Sequence, residues 1–373
     1  MDALMLPLNW QKVRLGDIGK PCMCKRVMKH QTTRYGEIPF YKIGTFGNTA
    51  DAFISKKLFL EYKTKYSFPK KGDILISASG TIGRTVIYDG KPAYFQDSNI
   101  VWIDNDETLV KNDFLFYAYS NVKWNTEHTT ILRLYNDNFR NTLIPLPPLN
   151  EQSAIANILS ALDRYLCALD ALILKKEGVK KALSFELLSQ RKRLKGFNQA
   201  WQRVRLGDIA NYLTSNLSVE QITQQGKIKV YDVNNFIGYT DTTFISDKPY
   251  ISIVKDGSVG RVRILPPKTN ILSTMGALIA NHKTTTEFLF YLLSNLDFKN
   301  FTSGSIIPHI YFKDYKEKTI FLPPLNEQSA IANILSDLDN EIISLKNKKR
   351  QFENIKKALN HDLMSAKIRV LEK

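Results

Sequence analysis

Two long stretches of this chain place apolar side chains at alternating spacings of three and four residues. In the first they are Ile155, Leu159, Leu162, Leu166, Leu169, Ile173, Leu183 and Leu187. In the second they are Ile331, Leu335, Leu338, Ile342, Leu345, Phe352, Leu359 and Leu363. The seam persists for roughly five heptads, which predicts coiled-coil helices of ~40 residues, ~60 Å at 1.5 Å per residue. Equivalent seam positions carry lysine, Lys180 and Lys356, with Val179 and Ile355 beside them expected to supply the apolar contact. A lone helix of that length exposes a continuous apolar stripe, so the expected partner of each helix is the other. The chain leaves one helix, builds a whole domain and enters the next. An antiparallel pair with one globular domain at each end satisfies that path. The alternative, each helix packed only on its own domain, leaves a helix longer than such a domain is wide.

Both helices are preceded by Pro-Pro, at Pro147-Pro148 and Pro323-Pro324, where a missing N–H costs little. Asn150 and Asn326 are the expected N-caps, with Glu151 and Glu327 in the first turn, where a negative charge is favoured. Outside the helices the pattern is short and β-rich: Ile74-Leu75-Ile76-Ser77, Thr85 to Tyr88, Asn99 to Ile103, Lys229 to Asp232 and Arg261 to Ile264. Gly72-Asp73, Asp89-Gly90 and Asp256-Gly257 punctuate these runs. One short helical stretch is expected in each half, at Phe114–Asn121 and Phe288–Asn295. Both globular parts therefore read as α+β.

The chain repeats itself. Residues 146–163 and 322–339 differ at a single position, Ala161 against Asp337. Residues 10–18 (WQKVRLGDI) and 201–209 (WQRVRLGDI) also differ at one, Lys12 against Arg203. Fainter echoes link Gly80-Thr81-Ile82-Gly83-Arg84 to Gly257-Ser258-Val259-Gly260-Arg261. Elsewhere the halves diverge almost completely. The order is variable, constant, variable, constant: a duplicated unit with a pseudo-twofold internal repeat, and too few copies for a solenoid.

At 373 residues the chain has room for two domains. With 43% hydrophobic and 24% charged residues it is an ordinary globular composition, which excludes wholesale disorder. No apolar run is long enough to span a bilayer and no secretory signal is seen, so no membrane association is expected. The three cysteines, Cys22, Cys24 and Cys167, are too few for a disulfide framework and suit a reducing cytoplasm. The net charge of +16 favours a polyanionic partner, against the alternative of a merely solvated basic face. The excess is spread along the chain, which suits phosphate contacts combined with base reading.

Catalytic chemistry is missing from the pattern. There is no phosphate-cradling Gly-x4-Gly-Lys-Ser/Thr, and Gly80/Gly83 and Gly257/Gly260 are too short for a dinucleotide fingerprint. These glycines read instead as tight turns that let a backbone approach something closely. Cys22-x-Cys24 with His30 has no second cysteine pair to complete a zinc site. Asp314 with Glu317 has no counterpart in the first half, so a solvated surface outweighs a nuclease site there. No catalytic or metal-ligating residue is expected.

Trp-Gln-x-Val-Arg-Leu-Gly-Asp-Ile opening each half, Lys-Gly-Asp-Ile-Leu-Ile-Ser-x-Ser-Gly-Thr-Ile-Gly at 71–83, and Leu-Pro-Pro-Leu-Asn-Glu-Gln before each long helix together resemble the specificity subunit of type I restriction–modification systems. The resemblance covers essentially the whole chain. It implies target recognition domains at 1–145 and 197–321, and spacer helices in conserved regions at 146–196 and 322–373. It implies that each domain reads one half of a split, asymmetric site in double-stranded DNA. It also implies two methylation subunits as partners, with restriction (motor) subunits joining them. S-adenosylmethionine would then belong to the methylation partner, ATP and Mg to the restriction partner, and no cofactor to this chain. One departure stands out. Gly304-Ser305-Ile306-Ile307-Pro308-His309-Ile310 is close to the family's Gly-Ser-x-x-x-x-Ile, whereas the first half has Thr129-Thr130-Ile131-Leu132-Arg133-Leu134-Tyr135, which points to a different loop there.

Candidate DNA contacts lie on loops after the first strands and around the Gly-Arg turns. In the first half they are Lys42, Thr45, Asn48, Ser79, Thr81, Arg84 and Arg133. In the second they are Asn234, Asn235, Lys255, Ser258, Arg261, Arg263, Ser305, His309 and Tyr311. Arg84 and Arg261 suit a phosphate clamp, bidentate guanine recognition or a surface salt bridge. Glu151, Gln152, Glu327 and Gln328 read equally as helix capping or as partner contacts. Competing functions are a stand-alone nuclease or methyltransferase, a coiled-coil scaffold, and the specificity chain of a related system whose partner both cuts and methylates.

Overall fold

In a computed structural model, residues 7–128, 132–304 and 306–370 are described. The chain divides into two units. The first is built from residues up to Leu169 and from Lys348 onward, the second from Asp170–Asn347. Each unit therefore takes the first part of its own long helix and the last part of the other one.

The first unit holds a four-stranded antiparallel sheet in the order Gly19–Met23, Ile100–Asn105, Ile74–Ser77, Thr85–Ile87. A three-stranded sheet (Phe53–Ile54, Ile38–Tyr41, Tyr94–Phe95) stands beside it, its last two strands parallel. The second unit repeats both: Ala210–Thr214, Met275–Ala280, Tyr250–Val254, Val262–Leu265, and Phe236–Thr240, Ile228–Tyr231, Asn270–Ile271. The strands Ile74–Ser77 and Tyr250–Val254 are buried at every residue. That explains why they read as continuous apolar runs without alternation. Short helices at Asn112–Tyr119 and Thr286–Ser294 fall where the sequence placed them. A helix at Lys56–Lys65 was not anticipated. Phe59 is its one buried residue, with Leu58 and Tyr62 half-buried against the same core; that face is too short to stand out, and the clearest local signal is Ser55, whose hydroxyl caps the Leu58 N–H at 3.2 Å.

The constant motifs pair with each other. Gln11–Arg14 runs antiparallel to Leu143–Leu146, and Gln202–Arg205 to Thr319–Leu322. These closing strands straddle the 145/146 and 321/322 divisions drawn from the sequence, each carrying its last residue, Leu146 or Leu322, across the line.

The long helices are Leu149–Leu188 and Leu325–Met364, 40 residues each. Their first turns belong to domain cores: Ile155, Ala156 and Leu159, with Leu363 and Met364 of the other helix, pack among Trp10, Leu15 and Phe114. Ile331, Ala332 and Leu335, with Leu187, pack among Trp201, Leu206 and Phe288. The helix segments run antiparallel within each unit, Asp163 opposite Lys356 and Tyr165 opposite Phe352 in the first, Lys176 opposite Glu341 and Lys180 opposite Asp339 in the second. The seam lysines are not relieved by Val179 and Ile355, which are exposed. Lys180 instead pairs with Asp339 at 2.5 Å, and Lys356 pairs with Asp163. Each aspartate also accepts a tyrosine hydroxyl from the short domain helix, Tyr291 at 2.9 Å and Tyr117 at 2.7 Å. Burial first, then the neighbouring aspartate, push both phenols above their ordinary range, so they stay donors.

Capping differs from expectation. The N-caps are Pro148 and Pro324, whose carbonyls accept the Gln152 and Gln328 N–H groups at 2.9 Å. Asn150 and Asn326 lie two positions later, inside the first turn, and accept the next residue's N–H. The expectation that Glu151, Gln152, Glu327 and Gln328 offer partner contacts is also corrected, since all four are at most 2% exposed. The Glu151 carboxylate accepts the Trp10 indole N–H at 3.0 Å and both Nε and one terminal nitrogen of Arg369, at 2.7 and 3.0 Å. Glu327 does the same with Trp201 at 3.0 Å and Arg193 at 3.2 and 2.7 Å. Gln152 donates to the Pro147 and Leu109 carbonyls and accepts the Lys111 N–H. Gln328 donates to the Pro323 and Lys283 carbonyls and accepts from Thr284 and Thr285. These side chains are spent inside the unit.

Glu327→Ala leaves the buried Trp201 indole N–H without its acceptor, while Arg193 keeps the Gln199 carbonyl and partial access to solvent; a buried donor left unsatisfied costs about 1–3 kcal/mol. Urea denaturation of the variant should show a loss of that size, and Glu151→Ala the same. Burial pushes the Cys24 thiol up to about 12, so near pH 8 only ~10⁻⁴ of it is thiolate. Iodoacetamide at that pH should modify the exposed Cys167 and leave Cys24 untouched until denaturant is added.

Candidate nucleic-acid interface

In each unit a glycine turn, a short hairpin and a loop after the first strand of the smaller sheet come together. In the first unit the turn follows Ile74–Ser77. Gly80 and Gly83 take φ of +66° and +89°, which side chains disfavour. The Ser77 hydroxyl donates to the Thr81 carbonyl at 2.6 Å and accepts the Arg84 N–H at 2.9 Å, closing the turn. The hairpin pairs Glu127–His128 with Leu132–Arg133, and a further bridge joins Arg133 to Ser79. Arg84 reaches the loop beyond Tyr41 and donates to the Phe46 carbonyl at 2.9 Å.

The second unit is built alike. Gly257 and Gly260 have φ of +84° and +80°. Thr302–Ser303 pairs with His309–Ile310, and Asp256 bridges to His309. Arg261 donates to the Asn234 side chain at 2.8 Å and Arg263 to its carbonyl at 2.9 Å. The divergent segment of the first half thus forms the same hairpin, with a connection of three residues (129–131) against five (304–308). The bonds that the two hairpins share are backbone ones, which need no particular side chain. The Leu134 N–H donates to Ala78 at 2.9 Å, and the Ile310 N–H to Lys255 at 2.9 Å.

The glycines approach aromatic rings of their own unit. A Cβ on Gly83 would meet Trp124 Nε1 at 2.5 Å, and one on Gly260 would meet Phe298 at 2.6 Å. Gly80 and Gly257 face open space.

Most of the residues picked out from the sequence gather here. Thr81, Arg84, Arg133, Asn48, Asn234, Asn235, Ser258, Arg261 and Tyr311 are exposed. Ser79 is not available: it is 6% exposed and its hydroxyl donates to Asn99 at 2.7 Å. The Thr45 hydroxyl closes a turn onto Lys42, and the Lys42 ammonium pairs with Asp51 at 2.8 Å. Lys255 is half-buried in the backbone ladder to the hairpin. Arg263 lies over the Tyr231 ring at 5.2 Å. His309 Nδ1 is 2.6 Å from Asp256, and its ring stacks on Tyr311, which Lys313 approaches at 5.5 Å. Ser305, like 129–131, lies outside the described residues.

The carboxylates of this face are engaged from within. Asp51 holds Lys42, Asp256 holds His309, and Asp232 accepts the Asn234 and Asn235 N–H groups at 2.8 and 2.6 Å. What faces outward is mainly arginine and amide donors, the chemistry that meets phosphates and base edges. Among the described residues no group of three or more His, Cys, Asp or Glu is placed to hold a metal, and no helix is long and apolar enough to cross a membrane. The sequence reading missed a cleft of ≈ 540 Å³ in the first unit, lined by Arg26, Lys42, Gln96, Asn99 and Arg133 among others. Its signal was the polar run Gln96-Asp97-Ser98-Asn99 between two apolar strands.

Comparison with known proteins places this geometry. The pattern describing the type I restriction modification DNA specificity domain matches twice, over residues 7–176 and 198–354. The chain is 26% identical, over an alignment of 414 positions, to the specificity subunit of the type I restriction enzyme MjaVIII of Methanocaldococcus jannaschii, covering 99% of this chain and 95% of that one. It is 64% identical over 148 residues to a putative type I restriction enzyme specificity subunit of Haemophilus influenzae, a match spanning 39% of this chain and only 38% of that protein. In fold it resembles the crystal structure of a type I restriction–modification S subunit from M. genitalium, at TM-score 0.64 and 20% identity over 97% of both chains.

The glycine contacts separate two effects. Gly80→Ala and Gly257→Ala impose only the left-handed backbone, about 1–2 kcal/mol. Gly83→Ala and Gly260→Ala add the ring clash, about 1–3 kcal/mol more. Denaturation midpoints of the four variants should fall in that order.

Proposed function

The chain belongs to the type I restriction–modification DNA specificity family, and on that footing we propose that each unit reads one half of a bipartite, asymmetric site in double-stranded DNA. The long helices set the unread gap, and two methylation subunits dock on the two equivalent halves, with restriction subunits joining them. Methyl transfer, with S-adenosylmethionine, and ATP-driven cleavage, with Mg, then belong to the partner chains. This chain supplies recognition and no covalent step.

One observation carries the reading. The same framework, two sheets on a Trp–Glu–Arg anchored base, appears twice and carries two different sets of outward donors: Arg84 and Arg133 in one unit, Asn234, Asn235, Arg261 and Tyr311 in the other. A duplicated framework with unlike faces suits a reader of two unlike half-sites. A scaffold gains nothing from that difference. A helix rises 1.5 Å per residue, so a gap set by continuous helices is fixed by their length and register.

Long-read methylation mapping tests this in cells expressing the chain with its methylation subunit, against cells lacking the chain. The expected result is a methyladenine motif in two parts with a fixed gap. Exchanging residues 1–145 for those of another specificity chain should change one part only. Unchanged methylation from a stable complex refutes the reading and leaves the scaffold.

A further inference from the structure

We propose that Arg26 reads a guanine in the half-site of the first unit and that Asp97 aims it. This rests on the reading of that unit as a DNA-recognition domain. Arg26 donates through Nε to Asp97 Oδ2 at 2.8 Å. Its guanidinium makes no other hydrogen bond among the described residues. The two terminal nitrogens are therefore a free fork on a side chain that is 67% exposed, while Asp97 is 14% exposed.

Asp97 is itself held. It lies in the turn between Tyr94–Phe95 and Ile100–Asn105, where Ser98, not a glycine, takes φ +59° and the Asn99 N–H donates back to the Asp97 carbonyl at 2.7 Å. On the other side, the Tyr94 hydroxyl donates to the Lys25 carbonyl at 3.1 Å and fixes the backbone next to Arg26. The fork is thus positioned from both ends.

The surroundings of the fork suit an acceptor-rich edge. Gln96 spends its oxygen on the Ile43 N–H at 3.0 Å, and Asn99 spends its oxygen on the Ser79 hydroxyl at 2.7 Å. Both amides leave their NH2 groups without a partner among the described residues, and both line the cleft with Arg26 and Arg133. The major-groove edge of guanine offers two acceptors, O6 and N7, to such a fork. Phosphate binding draws mainly on charge, and that attraction is weakened by a carboxylate 2.8 Å from the cation. Asp97 thus argues for a base over the backbone. The offset that aligns Trp10 with Trp201 puts Leu217, buried, at the place of Arg26. The feature therefore belongs to one half alone, as a specificity residue should.

The test uses the complex of this chain with its methylation subunit. Arg26→Ala, Arg26→Lys and Asp97→Asn are mapped by long-read methylation sequencing beside the parent. The parent motif should contain a guanine in its first half. Arg26→Ala should drop that requirement at one position, with discrimination there falling about tenfold or more and the second half intact. Arg26→Lys should relax it too, because lysine lacks the planar fork, and Asp97→Asn should relax it less. A parent motif with no guanine in the first half, an unchanged motif in Arg26→Ala, or an even loss of methylation at all sites overturns the assignment. The last would mark a phosphate contact. A parent complex that yields no two-part motif refutes the recognition reading itself, and the parent sample alone distinguishes that case.

Discussion

A carboxylate buried at the first turn of each long helix is the constraint on which each unit depends. Glu151 and Glu327 are 2% and 0% exposed. A charge so placed is tolerable only when donors surround it. Those donors come from distant stretches: an indole from the start of the domain and an arginine from beyond the end of the other long helix. Satisfying one carboxylate therefore brings together a domain's opening strand, the start of its own helix and the end of its neighbour. Removing any member leaves a buried polar group without its partner, which is why the Trp and Glu stand at matching places in both repeats.

The long-helix seam adds a second polar constraint. Lys356 opposite Asp163, and Lys180 opposite Asp339, sit where an apolar residue would pack in any register. A slip of one heptad would set Ala156 or Asp170 opposite Lys356 and Ala332 or Lys346 opposite Lys180, so only the observed alignment gives both lysines a carboxylate. Each aspartate also takes a tyrosine from the domain's short helix. The register of the helices and the seat of the domain are thereby set by the same side chain.

Above this base the face is free to vary. The turn, hairpin and loop are joined mainly through backbone bonds: Gly80 to Leu132, Gly257 to Pro308, Ile310 to Lys255. Side chains there can change without loosening the framework. Arg133 in one unit and His309 in the other occupy corresponding bridge positions and carry different chemistry. The carboxylates on the face are engaged within it, Asp97 with Arg26, Asp51 with Lys42, Asp256 with His309 and Asp232 with a turn backbone, so the groups left facing outward are mainly donors.

The sequence by itself determined what depends on local pattern and repetition: the two 40-residue helices, the central strands, the duplicated framework and its family. Those features are written in the spacing of apolar residues and in near-identical segments, which survive because they recur along the chain. Only the tertiary structure decided how the polar groups are spent. Glu151 and Gln152 look like a surface cap in the sequence, and become an internal anchor once Arg369, 218 residues away, is brought to them. The helix Lys56–Lys65 rests on Leu58, Phe59 and Tyr62, a face too short to stand out as a period. Arg26 is one cation among many until Asp97 is found beside it. Periodicity reports which face of an element is apolar, but the partner of a charged side chain is set by long-range contact, and nothing in the neighbouring residues encodes it.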